Sequence, residues 1–310
     1  MEKSVAIEAR GLMKRYDNDV AIGALNFEVL QGECFGLLGP NGAGKSTAIR
    51  MMYGSSLIDQ GDLFILGLNI KNSGREIRSQ IGVVPTEDGL ETELSVRENL
   101  ILFGRYHGIE KNLLHRRCED LLKLVKLEEY ADHRVPELPV GFRQRLVFAR
   151  ALINEPRILF LDEPTLSLDP SARQWVWNQI QNEKAQGRTL LLTTHDMEEA
   201  EKICDRIAIM DRGKVLAVGT PRELIQRLVG TQVIELQVPR GDLQYYLSRL
   251  SSHNFAFQVV KQQVNVHLKD NDDPQRVMNL VQGISLTLRQ SGLSDVFFKL
   301  SGHDVRDELI

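Results

Sequence analysis

The sequence is poor in features that mark several classes of protein. Its 310 residues include only three cysteines, an odd number without paired or metal-type spacing, which fits a reducing compartment. We expect Cys34, Cys118 and Cys204 to be small core residues. No apolar run approaches the length of a membrane span. The amino terminus has charges on both sides of a very short apolar stretch, so no signal peptide is expected.

A surplus of basic residues is also missing. Lys and Arg number 38 against 42 Asp and Glu, giving a net charge of -4, whereas proteins that bind phosphate backbones usually carry a positive excess. We therefore expect no nucleic acid partner. The chain shows no internal repeat and no low-complexity segment. Its length indicates about two domains, with the larger able to bury a substantial core without help from metal or disulfides.

Short β-rich runs alternate with helical stretches between Val5 and about Thr194. This alternation predicts an α/β fold with a largely parallel sheet and helices packed against it. Four apolar runs are too short for helices and are predicted as buried strands, at 34–38, 81–84, 158–161 and 189–193. Between the second and third of these we predict a long helical insertion, including helices at 95–107 and 111–125. A hairpin around a glycine turn is predicted at 206–218.

A second, smaller unit is predicted towards the carboxyl end. Thr220 and Pro221 open a short helix that ends near Gly230. Beyond it, the pattern predicts strands at 232–238, 255–261, 263–268 and 284–289 and helices at 242–251, 274–282 and 294–300. This order is typical of a small ferredoxin-like α+β domain. Its eight basic and nine acidic residues show no chemical signature.

The strongest motif is a glycine-rich loop that fits G-x-x-x-x-G-K-[ST]. It lies between the predicted strand at 34–38 and a predicted helix, which is the context such a loop requires. Its glycines let backbone N–H groups turn towards an anion, and the helix presents its positive end. A loop that only connected two elements would leave the cation and hydroxyl of Lys45 and Ser46 unexplained. The predicted phosphate-binding residues are Gly39, Pro40, Asn41, Gly42, Ala43, Gly44, Lys45, Ser46 and Thr47.

Two carboxylates follow the predicted strand at 158–161. Asp162 is placed to hold Mg²⁺ through its water shell, with Ser46 as a further metal ligand. Glu163 can polarise the water that attacks a γ-phosphate, or accept its proton. Acidic residues at a strand end are often solvated caps, but their occurrence together with the phosphate loop favours a functional role.

With these motifs, the chain resembles the ATP-binding subunit of an ATP-binding cassette (ABC) transporter over roughly residues 4–220. The resemblance implies a P-loop cassette at 1–220, mainly a parallel sheet with an antiparallel edge and a helical subdomain at about 93–153. Beyond it, the sequence pattern described above adds a linker helix at 221–230 and a small accessory α+β domain at 231–310. ATP and Mg²⁺ are the implied ligands. Tyr16 resembles the aromatic residue that stacks on adenine, and His195 resembles the switch histidine that contacts the γ-phosphate.

The resemblance also implies a head-to-tail dimer, in which each ATP lies between one subunit's phosphate loop and the other's signature segment. Residues 167–169, ending in Asp169, resemble the loop that communicates between subunits. The signature, usually Leu-Ser-Gly-Gly, is degraded here. Pro139 has neither hydroxyl nor N–H, and Val140 replaces a glycine, although Gly141 survives. Thr86 stands where the family has glutamine, so we expect a slow ATPase.

Residues 89–109 resemble the exporter branch that handles drugs, lipo-oligosaccharides, polysaccharides or ions. Residues 293–302 resemble the carboxyl-terminal segment of drug-resistance-type subunits. The resemblance implies an ATPase on the cytoplasmic face of the cell membrane that drives export through a separate integral-membrane permease. Two alternatives stay open at this point. One is an ATP-binding regulator or gate with weak or no hydrolysis, and the other is the degenerate half of a heterodimeric pair of cassettes.

Overall fold

The computed structural model describes residues 4–16, 19–239, 241–260, 262–269 and 272–302, with only the backbone of Val260. Lys261, the predicted end of one strand, and the final residues 303–310 of the predicted second domain lie outside these ranges. The chain divides into two compact units, Met1–Val215 and Leu216–Ile310. The division falls a few residues before the position predicted from the sequence.

The first unit alternates strands and helices along the chain. Its elements are β1 (Val5–Tyr16), β2 (Asp19–Leu30), β3 (Cys34–Leu38), α1 (Lys45–Met52), β4 (Gln60–Ile65), β5 (Leu68–Asn69), α2 (Ile70–Ser79), β6 (Ile81–Val84), α3 (Val96–Tyr106), α4 (Lys111–Val125), α5 (Val140–Leu152), β7 (Ile158–Asp162), α6 (Pro170–Ala185), β8 (Thr189–Thr194), α7 (Met197–Ile203) and β9 (Arg206–Asp211), with the division falling in β10 (Lys214–Gly219).

A parallel sheet forms the centre of this unit. Its strand order is β9-β3-β8-β7-β6, with β10 following β9 at the edge, and neighbouring pairs from β9 to β6 run parallel. Strands β3, β7 and β8 are buried along their whole lengths, as near-continuous apolar strands covered on both faces should be. The predicted α/β fold is therefore confirmed. Because parallel strands all end at the same edge, the residues after β3, β7 and β8 come close together.

The antiparallel part is a separate four-stranded sheet with the order β2-β1-β4-β5. Its pairing is irregular, with register shifts between Ala9 and Leu12 of β1. Gly11, inside this irregularity, has φ 59°, a left-handed conformation that favours glycine. The sheet brings Tyr16 and Ala21 to the edge of a cavity that is described below.

The helical insertion contains α3, α4 and α5. Ser95 and Glu98 form a capping box at the start of α3, which satisfies two backbone donors of its first turn. Gly104 allows α3 and α4 to approach closely, since a Cβ there would lie 2.0 Å from Leu114 Cδ1. The helix α5 begins at Val140.

The second unit has its own core. Its elements are α8 (Pro221–Leu228), β11 (Gln232–Gln237), α9 (Leu243–Ser252), β12 (Ala256–Val260), β13 (Gln263–Leu268), α10 (Pro274–Leu280), β14 (Ser285–Gln290) and α11 (Leu293–Ser301). The antiparallel strand order is β12-β13-β11-β14, which is that of a ferredoxin-like domain. One sheet face packs with α9 and α10 around buried residues that include Ile234, Leu236 and Val266.

Within the ranges the structure describes, we find no helix with both the length and the apolar character needed to cross a bilayer.

Candidate active site

The glycine-rich loop occupies the turn between β3 and α1. Gly42 and Gly44 have φ of 81° and 94°, so both adopt the left-handed conformation that glycine tolerates best. At Gly39 an added Cβ would lie 2.2 Å from the backbone oxygen of Met210. The absence of a side chain at Gly39 therefore lets the loop pack directly against the backbone of Met210. Helix α1 begins at Lys45, so its first N–H groups face the loop, as in an anion site.

Lys45 is a buried cation at the centre of this turn, with 5% of its surface exposed. Its Nζ donates to the backbone oxygens of Gly39 and Pro40 at 2.8 and 3.0 Å. It also lies 3.1 Å from Glu163 Oε1. The side chain is thus folded back over its own loop, and its positive charge is shared between two carbonyls and one carboxylate.

Asp162 accepts two hydroxyl hydrogen bonds on one oxygen. Ser46 Oγ donates to Oδ1 at 2.9 Å, and Thr193 Oγ1 donates to the same atom at 2.7 Å. The second oxygen, Oδ2, is buried without a hydrogen-bond partner. A buried carboxylate oxygen with no donor beside a serine hydroxyl is an oxygen-rich set of the kind that suits a hard cation such as Mg²⁺. These residues fit the predicted metal site.

Glu163 occupies the turn that follows β7. Its φ is 50°, a conformation that costs a non-glycine residue about 1 kcal/mol or more and often occurs at functional sites. The turn is held by the Glu163 N–H, which lies 3.0 Å from Thr193 Oγ1 and 3.2 Å from the Thr193 carbonyl oxygen. The carboxylate then bridges two partners, with Oε1 facing Lys45 and Oε2 lying 2.8 Å from His195 Nδ1.

These contacts shift the acidities of Glu163 and His195 in opposite directions. Burial by itself raises the pKa of the Glu163 carboxyl, but the hydrogen bond with His195 and the charge of Lys45 outweigh burial and hold that pKa below its usual value. The hydrogen bond with Glu163 raises the pKa of His195 against the opposing effect of burial. The pair is therefore stabilised as carboxylate and imidazolium.

A cavity of about 430 Å³ lies in front of these groups. It has the size expected of a small-molecule site. Tyr16 is 49% exposed at its rim, which leaves a ring face available for stacking. Thr86 also lines the cavity, and its hydroxyl lies 3.2 Å from the Asp162 backbone oxygen. The full lining consists of Tyr16, Ala21, Asn41, Gly42, Gly44, Lys45, Ser46, Thr47, Thr86, Glu163, Leu166 and His195.

Other predicted site residues lie outside this lining. The backbone oxygens of Gly39 and Pro40 accept hydrogen bonds from Lys45 Nζ. The Ala43 carbonyl oxygen accepts one from the Gly213 N–H. Asp169 is the N-cap of α6, where its Oδ1 accepts from the N–H groups of two residues of the first turn.

Gly141 lies in the first turn of α5, away from the cavity lining. A Cβ there would lie 3.2 Å from Ala172 Cβ. Its segment therefore does not complete the nucleotide cavity of its own chain.

Sequence reasoning missed one central residue. Thr193 is fully buried and contacts both carboxylate-bearing residues, Asp162 and Glu163. The available signal was a threonine hydroxyl at the end of an apolar strand, next to the Thr194-His195 pair. Its role depends on the pairing of Asp162 with Thr193 across β7 and β8, which the sequence does not reveal.

The fold and the site together define an ATPase cassette of the P-loop class. The family model described as ABC transporter matches residues 22–166. The chain is 41% identical over 304 residues to the Nod factor export ATP-binding protein I of Mesorhizobium japonicum, covering 98% of this chain and 89% of that protein. The protein of the same name from Rhizobium meliloti is also 41% identical over 304 residues, covering 98% and 90%.

Solved structures give the same assignment. An ATP binding subunit of an ABC transporter superposes with a TM-score of 0.66 at 30% identity, covering 72% of this chain and 92% of that one. A dimeric ATP-binding cassette in a post-hydrolysis state with ADP and Pi has a TM-score of 0.64 at 25% identity, covering 69% and 98%. The chain belongs to the ABC transporter family, as an ATP-binding and ATP-hydrolysing subunit. Cassettes of this family dimerise and work with membrane permease components.

Proposed function

We propose that this chain powers export through a separate membrane permease, by binding and hydrolysing ATP in the cavity that contains Lys45, Glu163 and His195. One observation carries the proposal: a phosphate loop, the Glu163 carboxylate and a histidine line one cavity, and the Asp162 carboxylate is hydrogen-bonded to Ser46 of that lining. The export role is supported by relatives whose names specify Nod factor export. We further propose that the chain acts at the inner face of the cell membrane.

The cavity divides the work of ATP hydrolysis among its residues. Tyr16 would stack on the adenine, and the loop N–H groups with Lys45 would hold the phosphates. Ser46 and Asp162 would hold Mg²⁺, which when bound neutralises charge on the β- and γ-phosphates. Glu163 would orient the attacking water and take its proton.

The carboxylate of Glu163 is engaged on both sides by residues of its own chain. Its two oxygens face Lys45 and His195. A γ-phosphate carries more negative charge than a carboxylate and would compete for both partners. We therefore propose that ATP binding releases Glu163, so that the base becomes available to water only when its substrate is present.

The dimer is proposed to supply the missing side of the site. The first turn of α5 carries backbone donors near Gly141, and no side chain caps it, so its positive end is available to a phosphate. Because this turn lies outside its own cavity lining, it would face the ATP of a second cassette.

A second candidate function, as a weak ATPase or as the degenerate half of a heterodimer, is favoured by the residues at the start of α5. Pro139 is the N-cap of α5 and offers no side-chain donor, and Val140 is 55% exposed where the family has glycine. A sister cassette with an intact signature would supply the donors that this chain lacks to one of the two shared sites.

The test is to trap the ATP-bound state. Glu163→Gln should bind ATP with Mg²⁺ and accumulate as a dimer in size-exclusion chromatography, whereas Lys45→Ala should lose ATP affinity and stay monomeric. Dimer formation only with an added sister cassette would favour the heterodimer. A Glu163→Gln protein that binds ATP but never dimerises with either partner would refute the scheme. Capture of the chain from solubilised membranes should bring down an integral-membrane subunit.

A further inference from the structure

Glu199 is a fully buried carboxylate that takes no part in the proposed mechanism. It lies in the first turn of α7, and its exposed fraction is 0%. Burial raises the pKa of its carboxyl against the opposing effect of its hydrogen bonds. Burying such a group costs free energy unless it is well bonded. Its partners therefore indicate what the residue does.

Two donors from different segments meet on one oxygen of Glu199. Thr165 Oγ1 donates to Oε1 at 2.8 Å, and Trp177 Nε1 donates to the same atom at 2.9 Å. Thr165 and Trp177 are each 6% exposed. Trp177 belongs to α6, whereas Thr165 lies in the connection between β7 and α6. The carboxylate thus joins α7 to α6 and to the connection that precedes α6.

One of these segments carries Glu163. Thr165 follows it closely along the chain, and the next residue, Leu166, lines the nucleotide cavity. The Leu166 N–H donates to the Glu163 carbonyl oxygen at 3.1 Å, which closes a tight turn around Thr165. Fixing the Thr165 hydroxyl therefore fixes the turn that presents the Glu163 carboxylate.

Another segment carries His195. Asp196, the N-cap of α7, accepts from the Glu198 and Glu199 N–H groups at 2.9 and 3.3 Å. The backbone of Glu199 is thereby bonded to the residue after His195, while its side chain is bonded to the turn after Glu163. Glu199 is therefore bonded to both segments whose residues form the 2.8 Å contact between Glu163 and His195.

We propose that Glu199 is a positioning residue for the Glu163–His195 pair, acting through the hydroxyl of Thr165. This inference rests on the proposed roles of Glu163 and His195. A misplacement of about 1 Å in a reacting group can lower turnover about a hundredfold, so a buried anchor at this point governs rate more than ATP affinity.

The two donors to Glu199 provide a matched pair of variants. Thr165→Val removes the donor on the Glu163 side and nearly preserves shape, whereas Trp177→Phe removes the donor on the α6 side. Steady-state ATP hydrolysis by the full chain should show kcat lowered about tenfold to a hundredfold in Thr165→Val, with KM for ATP little changed. Trp177→Phe should lower Tm at least as much as Thr165→Val does, but should lower kcat less. Thr165→Ser, which restores the hydroxyl, should recover kcat.

The split between kcat and KM, together with the rescue by Thr165→Ser, is the readout that a purely structural anchor would not move. Equal losses of kcat in Thr165→Val and Trp177→Phe, in proportion to their losses of Tm, would overturn the inference. So would an unchanged kcat in Thr165→Val.

Glu163→Gln separates this inference from the proposed function. If Glu163→Gln hydrolyses ATP like the parent chain, the proposed role of Glu163 is wrong. If it is inactive while Thr165→Val keeps full turnover, only the positioning role of Glu199 is wrong.

Discussion

At the scale of single residues, the site depends on hydroxyl groups as much as on charges. Thr193 donates to Asp162 Oδ1 and accepts from the Glu163 N–H. It is 0% exposed, so neither bond can be replaced by water without rearrangement. One buried hydroxyl therefore sets the relative position of the two carboxylate-bearing residues.

Thr193→Val should lower the free energy of unfolding by about 1–3 kcal/mol, because the buried Asp162 carboxylate loses a donor. Urea denaturation of the ATP-free chain measures this difference. Thr193→Ser keeps the hydroxyl and serves as the control, with a smaller loss from its missing methyl group. A Thr193→Val chain as stable as the parent would contradict the assigned bond.

A pH dependence follows from the Glu163–His195 contact. The pKa of His195 is raised, so its contribution to stability is fully present below the usual histidine value of about 6.5 and is lost as pH rises through the raised pKa. The pKa of Glu163 is lowered, so its contribution is present above the usual value of about 4.3 and is lost as pH falls through the lowered pKa.

The stability difference between the parent chain and His195→Gln should therefore be largest between about pH 4.3 and 6.5 and should shrink on either side. Urea unfolding over a pH series tests this. His115→Gln, at an exposed position of α4, is the matched control. A difference that grew from pH 6.5 to pH 9 would have the wrong sign.

Residue identities in the phosphate loop could be predicted because the spacing itself carries the chemistry. Lys45 and Ser46 are fixed relative to Gly44 by a few bonds. Thr193 could not be predicted, because its partners come from another strand and depend on register. The contacts of Glu163 with Lys45 and His195 likewise depend on the folded geometry, which brings together residues that are distant in sequence.

At the scale of elements, α5 connects two regions of the cassette. Its N-cap and the first residues of the helix, Pro139 to Gly141, are the segment that the sequence predicts to be a degraded signature. Near its other end, Arg150 is 5% exposed, and burial lowers its pKa to about 10, so it stays charged at neutral pH. The guanidinium donates to the backbone oxygens of Asp88 and Gly89, at 2.6 Å each. The segment that follows Thr86 is thus attached to α5.

Restoring the signature should speed hydrolysis if two copies of this chain form the site. Pro139→Ser together with Val140→Gly supplies a hydroxyl and permits close approach of backbone N–H groups to a γ-phosphate. Because one transition-state donor is worth about 2.7–4 kcal/mol, kcat should rise by up to about a hundredfold to a thousandfold.

Phosphate release by the purified chain measures the effect of that double variant. Val140→Gly alone, which adds no hydroxyl, is the control and should gain less. No gain in the double variant would indicate that this segment does not face the ATP of a second copy.

The elements that were predicted best are those with simple patterns. The strands at 34–38 and 81–84 and the helix at 111–125 match the structure. The long strands β1 and β2 are not located individually from the sequence. Register shifts interrupt the alternation of buried and exposed side chains in β1, whereas β2 keeps it from Leu25 to Val29. The antiparallel sheet was therefore expected only through the resemblance.

At the scale of the whole molecule, the chain has two compact units, each with its own buried core. Only the first contains the nucleotide cavity. A ligand that binds one folded unit stabilises that unit by mass action.

Calorimetry should accordingly show two unfolding transitions. ATP with Mg²⁺ should raise the midpoint temperature of one and leave that of the other unchanged. Lys45→Ala should abolish the shift without changing the second transition. A single transition that moved as a whole on adding ATP would show that the units unfold together.

The burial of all three cysteines has a practical consequence. Cys34, Cys118 and Cys204 are only 0%, 1% and 8% exposed, and the chain contains no others. A thiol introduced at Leu57, which is 83% exposed, would then be the preferred target for a maleimide dye. Fluorescence energy transfer between labelled copies could follow cassette closure in real time on an otherwise unmodified background.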